Sequence, residues 1–82
     1  MLKRGEHIIL KKIKTTKPES NVKVGSIIEG YLLDDIECGK KITLIDYTID
    51  GEKHYGNLVT TVLMYFVNKQ FYHTKNSIYE KL

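Results

Sequence analysis

The side chains best suited to holding a ligand gather in Phe71-Tyr72-His73-Thr74-Lys75-Asn76-Ser77-Ile78-Tyr79. Lys75 brings a positive charge, Asn76 an amide and Ser77 a hydroxyl. A turn at this point directs consecutive backbone N–H groups outward, and the combination makes a nest of phosphate size. The same residues also have a simpler use, because Asn and Ser close tight turns through their own side chains. On frequency the turn outweighs the nest. The segment is nevertheless the best candidate for an anion site, with Tyr72, His73, Lys75, Asn76 and Ser77 as its residues and Tyr55 at its border.

Tyr55 belongs to a second constellation, His54-Tyr55-Gly56-Asn57, where a ring, a ring nitrogen and an amide could stack on a base and bond its edge. Gly56-Asn57 serves equally well as a turn, and tyrosines in a β protein are mostly half-buried strand residues. Catalysis finds little support. His7, His54 and His73 are scattered with no i, i+4 pair, and the single Cys38 is flanked by acids that raise a thiol pKa. No Walker, nucleophile-elbow or H-E-x-x-H motif occurs. Asp34, Asp35 and Glu37 could face a hard cation, but they lack the spacing of a calcium loop and are ordinary turn residues. A non-enzyme is expected, with no cofactor, no metal site and no catalytic residue.

Composition sets the frame for these residues. Eighty-two residues, 41% of them hydrophobic, with one Pro and one Cys, make a single domain, 1–82, with one modest core. One cysteine excludes an internal disulfide framework. The apolar run after the basic start stops at Leu10, and the longest apolar-dominated run covers only residues 58–67. Neither a signal peptide nor a membrane helix is expected, so a cytoplasmic location follows. The net charge of +3 is uneven: residues 1–24 carry +5 and the remainder −2. A basic face including Lys11 and Lys14 could steer an anionic partner, or its lysines could protect an edge strand.

The elements that must position these groups are strands. Runs rich in Ile, Val, Thr, Tyr and Phe cover residues 7–14, 22–33, 41–49, 58–67, 71–74 and 78–81. Loops fall at 15–21, 34–39, 50–51, 68–70 and 75–77. No window holds a helical apolar stripe. In 41–49 the alternation sets Ile42 and Leu44 against Thr43, Ile45 and Tyr47. In 58–67 the second half is apolar on both faces, which marks a strand covered on both sides. The expected fold is all-β: a small antiparallel curled sheet or SH3-like barrel of five to six strands. A small barrel covers only one face of each strand, so Val62, Leu63, Met64, Tyr65 and Phe66 are expected to form a homo-oligomer interface.

From Val22 onward the chain resembles small, mostly uncharacterised phage and mobile-element proteins of SH3-like barrel type. The residues that carry the likeness are Val24-Gly25, Gly30-Tyr31, Gly39-Lys40, Thr60-Thr61-Val62 and Thr74-Lys75-Asn76-Ser77-Ile78-Tyr79. Residues 1–21 lie outside it. The resemblance implies a phage accessory protein acting in the host cytoplasm, a class that includes sponges for immune nucleotide signals and inhibitors of host nucleases. Three functions follow as expectations. The first is sequestration of an anionic small molecule, such as a cyclic nucleotide, at an oligomer interface. The second is nucleic-acid binding through Lys11, Lys14 and exposed tyrosines. The third is protein–protein inhibition of a host enzyme.

Overall fold

Alternation of β-branched and polar residues produces strands wherever the sequence places it, and the loops between them carry the residues that tolerate left-handed backbone. A computed structural model describes residues 2–17 and 22–82, so residues 18–21 of the first expected loop lie outside the described residues. Seven strands follow in order: β1 (His7–Thr15), β2 (Ile27–Leu32), β3 (Lys41–Ile49), β4 (Glu52–Lys53), β5 (Asn57–Val67), β6 (Phe71–Thr74) and β7 (Ser77–Lys81). All pairings are antiparallel, and among the described residues no helix is long and apolar enough to cross a membrane.

The pairings close on themselves. β1 pairs β2, β2 pairs β3, β3 pairs β5, β5 pairs β6, β6 pairs β7, and β7 returns to β1. Six strands therefore form a ring, with β4 attached outside it on β3. The expectation of a small all-β barrel holds. β1, whose lysines pointed to an edge, instead has a partner on each side. Lys12 escapes the need for an edge by turning inward, where its side chain is buried.

Local departures from alternation bend the ring. β2 is shorter than the expected run, because the chain turns tightly at Gly25, whose φ is +92°. In β3, Asp46 adopts a left-handed φ of 49° and the β2–β3 register slips between Glu29 and Tyr31. This bulge shifts the phase, so Tyr47 enters the core with Ile42 and Leu44 instead of facing away from them. Gly30 lies opposite the bulge, and a Cβ there would stand 3.0 Å from the Tyr47 Cβ and 3.1 Å from the Ile45 carbonyl oxygen. β4, not anticipated from the sequence, arises from Asp50-Gly51, where positive φ at both residues makes the hairpin turn that suits twisted strands.

β5 is not covered on both sides. Its register slips against β3 between Lys41 and Thr43 and against β6 between Leu63 and Tyr65. Leu58, Leu63 and Phe66 therefore face the core in turn, while Val59, Met64, Tyr65 and Val67 are exposed. Leu63 is wholly buried, at 0% exposure, so it belongs to the core and not to a surface interface. Among the described residues, twelve buried apolar side chains, from Ile8 to Tyr79, fill the barrel.

Candidate ligand-binding face

Across β5, β6, β7 and β1 the registers line up into rows. Phe66 opposes Tyr72, Tyr72 opposes Tyr79, and Tyr79 opposes Lys12; this row points inward. One residue away, Tyr65 opposes His73, His73 opposes Ile78, and Ile78 opposes Lys14. Because a strand alternates its faces, this second row points outward. A third row, Val67, Phe71, Glu80 and Lys11, flanks the inward row on its other side. Residues that seemed unrelated in sequence therefore meet on one exterior surface.

The outward row carries recognisable binding chemistry. The rings of Tyr65 and His73 stack with centroids 4.4 Å apart and planes 14° from parallel. Tyr65 is 53% exposed and Met64 beside it 58%, so the aromatic pair presents a face to solvent. A groove of about 290 Å³ runs along this surface, bordered by Tyr65, His73, Met64, Lys14, Lys75 and Asn76. Neither Lys14 nor Lys75 forms an ion pair among the described residues. An aromatic platform with two uncompensated ammonium groups at its rim can stack a planar base and attract its phosphate.

The nest expected at Lys75, Asn76 and Ser77 does not form, because the turn uses its own donors. The Lys75 N–H donates to the Val62 carbonyl at 2.9 Å, the Asn76 N–H to Thr61 Oγ1 at 3.2 Å, and the Ser77 N–H to Thr74 Oγ1 at 3.1 Å. The Asn76 carbonyl accepts the Thr16 N–H at 2.8 Å and the Thr16 hydroxyl at 3.2 Å. The Ser77 hydroxyl donates to Thr15 Oγ1 at 3.0 Å. Thr61 and Thr74 thus serve to lock the turn, whereas Thr60 Oγ1 accepts the Ile42 N–H at 3.0 Å and ties β5 to β3. What remains for a ligand is the Lys75 ammonium and the Asn76 side-chain amide, which has no hydrogen-bond partner among the described residues.

The other expected site residues separate. Tyr72 is buried in the inward row, its hydroxyl donating to the Lys69 carbonyl at 3.4 Å, and burial raises its pKa. Tyr55 is 87% exposed in the β4–β5 loop, with the Lys53 ammonium 5.9 Å from its ring centroid. It does not border the groove. His54 stacks on Tyr47 at 5.4 Å, which ties that loop to the barrel. Val62 and Phe66 are half-buried, and Phe66 packs on the core. Of the acidic cluster, Asp35 accepts the Arg4 N–H at 2.7 Å and Glu37 pairs with Lys40 at 3.1 Å, the work of a turn.

Two features went unseen in the sequence. The stacking of Tyr65 on His73 is one; its signal is the short β5–β6 hairpin, obscured by the register slip between Leu63 and Tyr65. Lys12 lies inside the barrel at 1% exposure, its Nζ donating to the Val22 carbonyl at 2.8 Å and standing 6.0 Å from the Tyr79 ring centroid. Desolvation, and then the nearby Lys23 charge, lower its pKa. No family model, curated protein or solved structure matches the chain, so the reading of this face rests on its chemistry.

Proposed function

We propose that the protein is a non-catalytic binder of a ligand that combines a planar base with phosphate, held on the outer face of β5, β6, β7 and β1. The observation that carries this reading is the outward row, in which the stacked Tyr65–His73 pair leads through Ile78 to Lys14. The base lies on the exposed Tyr65 ring, Lys14 and Lys75 hold the phosphate, and the Asn76 amide bonds a polar edge. A groove of about 290 Å³ is near the lower end of ligand pockets, roughly 300–1,000 Å³, and it is open to solvent on one side. It suits one nucleotide unit, free or within a strand. Sequestration of a nucleotide signal by a phage-type accessory protein is the form of this function that the sequence likeness favours, with a second copy closing the groove over Met64 and Tyr65.

Titration by tyrosine fluorescence against AMP, a cyclic dinucleotide and single-stranded oligothymidine tests the reading. Stacking contributes about 1–3 kcal/mol per base, so Tyr65→Ala should weaken binding roughly fivefold to a hundredfold. Lys14→Ala with Lys75→Ala should weaken it further while the fold is kept. Salt separates the two sources, since a polynucleotide that neutralises many charges loses affinity steeply with salt and a single nucleotide only gently. Failure of all three probes to bind at millimolar concentration would overturn the proposal.

A further inference from the structure

One mouth of the barrel holds a cavity of different character. It encloses about 320 Å³ and is lined by Leu2, Ile36, Phe66 and Tyr72, with Lys69 and Lys81 among its walls. The floor is apolar and built from the core: Ile36 and Tyr72 are buried, and Leu2 and Phe66 pack against the core cluster. The Phe66 and Tyr72 rings lie 6.2 Å apart at 46°, forming an angled aromatic wall. The Ile36 N–H donates to the Leu2 carbonyl at 3.1 Å and fixes the opposite wall.

The charged residues that line this cavity are of one sign. No acid lines it, and neither Lys69 nor Lys81 makes an ion pair among the described residues. Of the acids close in sequence to the lining residues, Asp35 accepts the Arg4 N–H and lies 3.9 Å from the Lys3 ammonium, Glu37 pairs with Lys40 at 3.1 Å, and Glu80 accepts from the Gln70 amide at 3.2 Å. Lys69 also stands at a left-handed φ of 56°, a conformation that glycine adopts far more easily in such a turn.

We propose that this mouth is a second binding site, independent of the nucleotide face, for a small amphipathic organic anion: an apolar body seated on Leu2, Ile36, Phe66 and Tyr72, and an acidic head group held by Lys69 and Lys81. Apolar lining with a few placed polar groups is the usual make-up of a small-molecule site, and a cation at the rim selects the charge of what enters. A cation of the same shape meets two like charges, and a neutral analogue forfeits the charge-assisted bonds.

Decanoate, decanol and decylammonium, titrated below their aggregation thresholds and followed by amide chemical shifts, test the site. Decanoate should shift residues at Leu2, Ile36, Phe66 and Tyr72 without shifting Tyr65 or His73. Decanol should bind about tenfold more weakly, and decylammonium more weakly still. Lys69→Gly is the decisive variant, because it relieves the left-handed backbone. Its melting temperature should stay level or rise while decanoate affinity falls about tenfold. Equal binding of all three amphiphiles, undiminished decanoate binding by Lys69→Gly with Lys81→Ala, or shifts confined to the nucleotide face would each overturn the proposal. An acidic, apolar chain terminus of another protein as the true occupant would show as a protein complex that decanoate fails to displace, which also counts against it.

Discussion

Lys12 shows what a single position decides. Lys11 and Lys14 flank it in sequence and lie on the outer rows, whereas Lys12 falls on the inward row beside Tyr79. A charge held there in the folded state loses its water, and its pKa falls below the ordinary 10.5. From that lowered pKa up to 10.5 the unfolded chain binds more protons than the folded one, so stability rises with pH across that window. Tyr72 and Tyr79 act in the opposite sense: burial raises their pKa, and stability falls once pH passes the unfolded value near 10. Urea unfolding at a series of pH values below 10 should therefore show a rise in the parent protein that Lys12→Met abolishes. An unchanged slope in Lys12→Met would show that Lys12 is not desolvated.

At the scale of the element, bulges govern the molecule. Strand composition and the loops at Asp50-Gly51 and Asn68-Lys69-Gln70 were legible because β-branched residues and turn formers leave a local trace. The bulges at Asp46 and in β5 were not, since alternation shows which residues differ but not where the count slips. That is why Tyr47 was placed on the wrong face and Leu63 on the surface. It is also why Tyr65 and His73, eight positions apart, were not paired. The anion nest failed for a related reason: whether a turn's N–H groups are free depends on threonines in a neighbouring strand, here Thr61, which pattern alone does not bring near. Gly30 is the element-scale test. Gly30→Ala places a methyl 3.0 Å from Tyr47 and 3.1 Å from a carbonyl that cannot easily move, and should cost about 1–3 kcal/mol in denaturant unfolding. A cost near zero would mean that β3 bulges freely away from β2.

For the whole molecule, closure of the six-strand ring leaves the two-residue β4 as the free strand edge among the described residues, too short to serve as the kind of edge through which small β proteins commonly associate. Any self-association must then use side chains on the barrel's exterior. Met64, Tyr65, Val59 and Val67 are the exposed apolar groups of β5. If two copies meet there, Met64→Asp should shift sedimentation from dimer to monomer at micromolar concentration without lowering the melting temperature. Leu63→Asp does not serve this purpose, because it places a carboxylate in the core and unfolds the barrel. A monomeric mass for the parent protein would leave the groove as a one-chain site.

The seam of the ring lies between β1 and β7, where Thr15 meets Ser77 and Leu10 meets Lys81. Those partners are separated by most of the sequence, so a chain emerging from the ribosome must carry β1 with one side unsatisfied until β7 follows. Burial of Lys12 belongs to the same late moment, since Tyr79, which walls it in, arrives with β7. The ring therefore cannot close until β7 has been synthesised, and the interval before that is the period in which a protease or an aggregating neighbour finds the protein most vulnerable.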